Sequence, residues 1–135
     1  MMESPNPWRF WGITLLIFAA VLLASALSPL WAAEIRVTDG DTIRIGDERI
    51  RLLGLDTPEK RHLAECLAER MLARLASERL EELVYEIDVV IERDGIDRFG
   101  RTLARVFVEG EDAAEVLVRE GLARRWEGRQ VDWCR

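Results

Sequence analysis

The stretch that most constrains the fold covers residues 39–59 and reads DGDTIRIGDERIRLLGLDTPE. Ile43 and Ile45 alternate with polar neighbours, which is the two-residue period of a half-buried strand. Gly46 and Asp47 then supply a two-residue turn, and the alternation resumes directly after them. The pattern predicts a β-hairpin whose two ends lie close together.

Charged side chains bracket this predicted hairpin at its entrance, on its second strand and just past its end. They are Asp39, Asp41, Arg51, Asp56 and Glu59. Carboxylates that converge repel one another, and a hard cation with oxygen ligands relieves the repulsion. The stretch therefore predicts a cation site, although ordinary turn acids would produce the same local sequence.

A long helix is predicted to follow over residues 60–83, because apolar residues recur there at helical spacing. The apolar stripe consists of Leu63, Leu67, Met71 and Leu75, with Ala64, Ala68, Leu72 and Ala76 beside it. The opposite side is charged, includes Glu69, and is predicted to face solvent. His62 is the one histidine of the chain and is expected to be a solvated helix residue.

Further strands are predicted at residues 35–37, 87–91 and 103–108, where apolar and polar residues alternate. A short helix is predicted after the last of them, with Asp112 as its N-cap and Gly121 as its C-terminal stop. This element order predicts an α+β, mainly β fold. The strand number and the glycine turns fit a small closed barrel of the five-stranded OB-fold type.

Three motifs of the chain occur together, and in this order, in one protein family. They are the DGDT turn at residues 39–42, the segment from Arg51 to Glu59 that ends in DTPE, and the DRFGR loop at residues 97–101. Over about residues 34–126 the chain resembles the staphylococcal nuclease (thermonuclease) family. The resemblance implies an OB-fold barrel with packed helices and a Ca²⁺-dependent nuclease that acts on DNA and RNA with little sequence preference.

The resemblance also implies a metal site and a group that acts on water. The carboxylates of Asp41 and Asp56, with the backbone carbonyl of Thr57, would bind Ca²⁺, which prefers oxygen ligands. Glu59 would activate or orient the attacking water. Asp39 would support the turn from behind the metal ligands.

Two arginines and two aromatic residues complete the implied site. Arg51 and Arg101 match the arginines that grip the phosphate, a task that suits the planar guanidinium fork. Phe99 stands where the family often has tyrosine, so one hydroxyl that can touch a phosphate is missing. Trp126 falls near an aromatic position of the family, where a base could stack, although packing in the core is an equal alternative.

The formal net charge is −6 and the isoelectric point is near 4.9, which disfavours non-specific coating of DNA. A divalent cation in the acidic cluster would reverse the sign of the charge locally, so a metal-dependent nuclease is compatible with this acidity. The alternative function is a non-catalytic OB-type module that binds nucleic acid or a protein partner at the membrane.

Two cysteines, Cys66 and Cys134, lie far apart and do not follow the ligand spacing of a zinc site. In an exported domain we expect them to form a disulfide that fastens the C-terminal tail to the first helix. In a cytosolic domain they would be two free thiols.

The N-terminal leader carries an uncharged apolar run at residues 10–27, followed by small residues and Pro29. Its length fits either a signal-peptide core or a short membrane anchor. We therefore divide the chain into a leader at residues 1–33 and a thermonuclease-like domain at residues 34–135. The protein is expected to be an exported monomer, periplasmic or extracellular, with inner-membrane anchoring through the leader as the alternative.

Overall fold

The computed structural model describes residues 34–60, 63–85 and 88–135. The leader at residues 1–33 and His62 lie outside the described residues, and so do the predictions made for them. Among the described helices, none combines the length and the apolar character that a bilayer crossing requires.

The described chain begins with a three-stranded antiparallel meander. Strands β1 (Ile35–Asp39), β2 (Thr42–Ile45) and β3 (Glu48–Leu52) pair in chain order. Gly46 has a φ of 57°, which glycine adopts at little cost, and it lies in the two-residue turn between β2 and β3. The predicted hairpin is confirmed.

Five further strands follow: β4 (Leu55–Asp56), β5 (Val89–Ile96), β6 (Thr102–Val108), β7 (Glu111–Asp112) and β8 (Arg124–Arg125). The main sheet has the order β1-β2-β3-β6-β5, with β3 and β6 parallel and β7 paired to β6. Strands β4 and β8 form a separate two-stranded antiparallel sheet.

The predicted closed barrel of five strands is not formed. Within the described residues β1 and β5 are the two edges of the main sheet and do not pair with each other. After β3 the chain turns at Gly54, which has a φ of 80°, and the short β4 leaves the main sheet to pair with β8. The mainly β, α+β class is as predicted, whereas the sheet is open.

Two helices are described, α1 (Leu67–Val84) and α2 (Ala113–Arg119). Helix α1 begins seven residues later than predicted, because Cys66 is its N-cap and the Cys66 sulfur accepts the Glu69 N–H at 3.4 Å. Asp112 caps α2 as predicted, accepting the Ala114 N–H at 2.9 Å. The stop predicted at Gly121 is also observed, since this residue has a φ of 77° just past the helix.

The prediction for the buried face of α1 is wrong for the large residues of the apolar stripe, although Ala76 beside them is buried as predicted. Leu67 and Met71 of the predicted apolar stripe are 67% and 58% exposed, and Leu63 and Leu75 are exposed as well. Helix α1 packs on β1 through a different row of residues. The row consists of Glu69, Ala73, Ala76, Ser77, Leu80 and Val84. The small side chains in this row let the helix backbone approach the sheet closely.

The hydrophobic core lies between the main sheet and the two helices. Its fully buried large side chains are Ile43, Ile50, Leu52, Leu55, Leu80, Val106 and Leu117. Burial of each such side chain is worth roughly 1.5–3 kcal/mol relative to exposure. The core therefore holds in place the ends of β2, β3 and β4, where the predicted site residues lie.

Candidate active site

The DGDT turn is pressed against α1 and against the loop that follows β4. A Cβ on Gly40 would lie 2.9 Å from the Ala76 Cβ and 3.3 Å from the Thr57 Cγ2. A side chain at position 40 would therefore clash, so close packing explains this glycine. The packing also buries Asp41, the next residue of the turn.

Asp41 is held by two neighbours on the hairpin. The Thr42 hydroxyl donates to Asp41 Oδ1 at 2.7 Å, and the Arg51 guanidinium pairs with Asp41 Oδ2. The register of β2 with β3 places Thr42 opposite Arg51, which brings the arginine to the turn. Arg51 Nη2 also reaches the Leu55 carbonyl oxygen at 3.5 Å, so one side chain links the DGDT turn to the DTPE segment.

Asp56 and Thr57 are buried where β4 ends. The Val131 N–H donates to Asp56 Oδ2 at 2.9 Å. Among the described residues Asp56 Oδ1 accepts no hydrogen bond from the protein, so one carboxylate oxygen is available to a ligand. Two buried carboxylates and a nearby backbone carbonyl are a donor set that fits a hard cation.

Three carboxylates were expected to converge here, and the structure shows a different arrangement. Among the described residues, one trio of Cys, His, Asp and Glu side chains has ligand atoms within 4.8 Å of one another, namely Cys66, Glu69 and Cys134. The two sulfurs of that trio are bonded to each other at 2.15 Å, so the trio is not a metal site. Asp41 is paired with Arg51, so the charge of this one carboxylate is already compensated within the protein.

Glu59 is partly buried, and its backbone N–H donates to Glu69 Oε1 at 3.1 Å. Burial raises the pKa of the Glu59 carboxyl, and the negative charges of Asp39, Asp56 and Glu69 raise it further. The positive charge of Arg51 opposes this shift. A carboxylate with a raised pKa binds a proton more strongly, which favours a role in accepting a proton from water.

Arg101 is held by Asp97 in the loop between β5 and β6. Arg101 Nε donates to Asp97 Oδ2 at 2.8 Å, and Asp97 Oδ1 accepts the backbone N–H groups of Phe99 and Arg101. Burial alone would raise the pKa of Asp97, but these hydrogen bonds hold it below its ordinary value. The Phe99 ring lies against Arg101, with 5.6 Å between the guanidinium carbon and the ring centroid.

Arg101 acts electrostatically on Arg51, the other predicted phosphate-binding arginine. Burial lowers the pKa of Arg51, and the positive charge of Arg101 lowers it further. The charges of Asp56, Asp97 and Glu59 act in the opposite direction. Arg51 is paired with Asp41 and Arg101 with Asp97, and each guanidinium carries further N–H donors of the kind that bind a phosphate.

Two predicted site residues have other surroundings. Asp39 pairs with Lys60, with 3.4 Å between the carboxylate oxygen and Nζ. Trp126 is 47% exposed and its backbone N–H donates to the Gly54 carbonyl oxygen at 3.0 Å. The core-packing alternative for Trp126 is therefore wrong, and its indole is accessible.

Three residues at the site have no signal in the sequence. Glu69 belongs to the charged side of the predicted helix, yet it is buried and accepts the N–H groups of Glu59 and Glu65. Gln130 and Val131 lie in a tail without periodicity. They line a cavity of about 330 Å³ together with Asp56, Thr57, Glu59 and Glu69.

Buried aspartates and paired arginines on a mainly β domain are the features of this site, and comparison of the sequence with known families identifies the class of protein. Residues 49–132 match the family described as staphylococcal nuclease homologue. The chain belongs to this family.

Named relatives include enzymes that act as endonucleases. The chain is 38% identical over 96 residues to the SPbeta prophage-derived endonuclease YokF of Bacillus subtilis (strain 168). The matched region covers 66% of this chain and 32% of YokF. It is 32% identical over 133 residues to Protein ParB of Escherichia coli, and the match covers 84% of this chain and 71% of ParB. It is 39% identical over 95 residues to the Thermonuclease of Staphylococcus intermedius, and the match covers 66% of this chain and 55% of the thermonuclease. The chain thus spans only about a third of YokF and about half of the thermonuclease.

Proposed function

We propose that this protein is a Ca²⁺-dependent nuclease that hydrolyses phosphodiester bonds of DNA and RNA with little sequence preference. The observation that carries the proposal is the position of Arg51. Its guanidinium pairs with Asp41 of the DGDT turn and reaches the Leu55 carbonyl beside Asp56. Family membership and the names of two relatives, the endonuclease YokF and a thermonuclease, support the same reaction.

The carboxylates of Asp41 and Asp56 and the backbone carbonyl of Thr57 would hold the cation. When bound, Ca²⁺ would supply positive charge that polarises the phosphate and lowers the pKa of water. The free Oδ1 of Asp56 supports this assignment, because it leaves a ligand atom that no donor in the described chain occupies. Asp39 and Lys60 would support the turn from its outer side.

The remaining side chains act on the phosphate and on water. Arg51 and Arg101 would bind the non-bridging oxygens and stabilise the negative charge that these oxygens carry during attack. Glu59 would accept a proton from the attacking water, which its raised pKa favours. The exposed indole of Trp126 offers a surface on which a base of a single strand could stack.

We also propose that the domain is exported and monomeric. The Cys66–Cys134 disulfide supports export, because disulfides persist in oxidising compartments. The apolar run at residues 10–27 would act as a signal peptide, with the domain at residues 34–135 released after it. Fractionation and N-terminal sequencing test this. Full-length protein that stays with membranes after a high-salt wash would make residues 10–27 an anchor instead.

The nuclease proposal is tested with the purified protein, single-stranded DNA or RNA, and either Ca²⁺ or EDTA. Hydrolysis should require Ca²⁺. Arg51→Ala and Arg101→Ala should each lower kcat by about 10²–10³-fold, the usual cost of losing one donor to a developing charge. Arg36→Ala is the matched control, since Arg36 is an exposed β1 arginine with a 3.9 Å contact to Glu34. Absence of Ca²⁺-dependent cleavage would overturn the proposal.

The net charge of −6 weakens the attraction of a polyanionic substrate, and this observation favours the second candidate, a non-catalytic OB-type module that binds nucleic acid or a protein partner at the membrane. Binding of nucleic acid by the EDTA-treated protein, with no turnover when Ca²⁺ is restored, would support that alternative.

A further inference from the structure

The C-terminal segment runs beside the strand that carries Asp56. Strand β8 pairs with β4, so Arg124 lies opposite Asp56. The Trp126 N–H bond to Gly54 continues this contact for one more residue. The chain then passes Gly128, which has a φ of 83°, and continues to the site.

Residues 130 and 131 contact two of the proposed site residues directly. The Val131 N–H donates to Asp56 Oδ2 at 2.9 Å, across 75 positions of sequence. Gln130 Nε2 lies 3.4 Å from Glu59 Oε1, across 71 positions. A hydrogen bond that occupies one oxygen of a carboxylate fixes the direction in which the other oxygen points, as partners of metal ligands commonly do.

A covalent bond holds this segment at the start of α1. Cys134 is bonded to Cys66, the N-cap residue of the helix, with 6.0 Å between the Cα atoms. Glu69, in the first turn, accepts the Glu59 N–H and lies 3.9 Å from the Cys134 sulfur. The same helical turn therefore anchors both the tail and the backbone of Glu59.

We propose that residues 130–134 form a wall of the nuclease site, in which Val131 and Gln130 are positioning residues for Asp56 and Glu59. The Cys66–Cys134 bond keeps this wall in place. A segment held against the site by two hydrogen bonds alone would lose much conformational entropy, and the covalent link removes most of that loss. The inference rests on the proposed function for the roles of Asp56 and Glu59, and it makes the site dependent on the oxidation state of the two cysteines.

The first test releases the wall without removing it. Dithiothreitol supplies two electrons and two protons, which convert the disulfide into two thiols while the reagent itself becomes a cyclic disulfide. We expect reduced protein and the Cys66→Ala/Cys134→Ala variant to bind Ca²⁺ about tenfold more weakly in titration calorimetry, the usual cost of losing a partner of a metal ligand. Reoxidation should restore the affinity of the wild-type protein, and the double variant should not respond to either treatment.

The second test removes a single donor. Val131→Pro deletes the N–H that Asp56 accepts and should weaken Ca²⁺ binding to the same degree. Val131→Ala is the matched control, because it shortens the side chain at the same position and keeps the N–H that Asp56 accepts. Gln130→Ala should lower kcat several-fold with KM and Ca²⁺ affinity unchanged, since it acts on Glu59 alone. Circular dichroism melts identify variants that are folded at the assay temperature.

Calorimetry separates failure of this inference from failure of the proposed function. If the oxidised wild-type protein binds Ca²⁺ but does not cleave DNA, the nuclease proposal fails and the affinity comparison still decides the role of the wall. Equal Ca²⁺ affinity in the oxidised, reduced and double-variant proteins would overturn the inference. So would an equal loss in Val131→Pro and Val131→Ala, or a wild-type protein that binds no Ca²⁺.

Discussion

At the scale of single residues, Gly40 shows how an absent side chain lets a turn pack closely against its neighbours. Its φ is not positive, so the glycine does not serve backbone geometry. It serves contact, because the turn lies directly on Ala76 of α1 and on Thr57. The same contact helps to bury Asp41, and the register of β2 with β3 places Arg51 beside it.

Gly40→Ala should therefore destabilise the protein by about 1–3 kcal/mol, the usual cost of overpacking. At sites without a clash, the same substitution stabilises a protein because alanine lowers the conformational entropy of the unfolded chain. The new methyl group would sit 2.9 Å from the Ala76 Cβ, which is too close without movement of the turn or the helix. Urea denaturation measures the change in the free energy of unfolding.

The double variant Gly40→Ala/Ala76→Gly tests the cause. Removing the Ala76 methyl group makes room for the new one, although glycine in the helix itself costs about 1 kcal/mol. If the changes in the free energy of unfolding of the two single variants add in the double variant, the Gly40–Ala76 contact does not cause the destabilisation.

At the scale of secondary-structure elements, α1 has two apolar faces and only one of them is buried. Leu80 is fully buried against the sheet, whereas Leu75, one of the residues of the predicted stripe, is exposed. The buried face is the one with small residues, because α1 must approach the DGDT turn closely. Helical periodicity alone does not distinguish the two faces.

Leu80→Ala should lower the free energy of unfolding by about 2–5 kcal/mol, because it leaves a cavity in the core. Leu75→Ala removes the same atoms from the same helix at an exposed position, and its effect should stay within about 0.5 kcal/mol. Comparable losses in the two variants would contradict the observed orientation of α1.

Strands β3, β5 and β6 are tied together by one side chain. Glu48 accepts two hydrogen bonds from Arg93 on β5, at 2.9 and 2.7 Å, and one from Thr102 on β6 at 2.9 Å. The pKa of Glu48 is lowered from 4.5 to about 2, mainly by the hydrogen bonds from Arg93. Burial opposes this shift, and the hydrogen bond from Thr102 adds to it. The ionised carboxylate therefore stabilises the folded state.

The sign of the pH effect follows from the lowered pKa. The stabilisation is complete above the ordinary pKa of 4.5 and is lost as the pH falls towards about 2. Glu48→Gln should thus be less stable than the wild-type protein at pH 7 and equal to it near pH 2, as measured by urea midpoints. Glu78→Gln is the control, because Glu78 pairs only with the neighbouring exposed Arg74 among the described residues. A difference at position 48 that persists unchanged to pH 2 would refute this account.

At the scale of the whole molecule, the disulfide joins the start of α1 to the C-terminal end. It links positions 68 residues apart, so it shortens the unfolded chain considerably. Small domains bury a limited fraction of their surface, so the disulfide should contribute a large share of the stability of this domain with its open sheet and small core.

Reduction should therefore lower the free energy of unfolding by roughly 4 kcal/mol, the value expected for a loop of this length. Urea denaturation with and without reductant measures the effect. The Cys66→Ala/Cys134→Ala variant should show the lower stability in both buffers. Equal midpoints for oxidised and reduced wild-type protein would contradict the expectation.

The sequence by itself determined the features that depend on local patterns. Alternation and turn chemistry specified the hairpin of β2 and β3, and Asp112 and Gly121 marked the ends of α2. The three motifs identified the family and brought Asp41, Arg51 and Asp56 to attention. Each of these signals lies within a few neighbouring residues, where strand period, turn type and capping act directly.

Only the tertiary structure decided which face of α1 is buried, where that helix begins, and that the sheet stays open. It also brought Glu69 and Val131 to the site. Asp56 and its partner Val131 are 75 positions apart, and nothing in the tail's local sequence indicates the contact. Such contacts depend on how whole elements pack and on the covalent link between Cys66 and Cys134, neither of which a local pattern encodes.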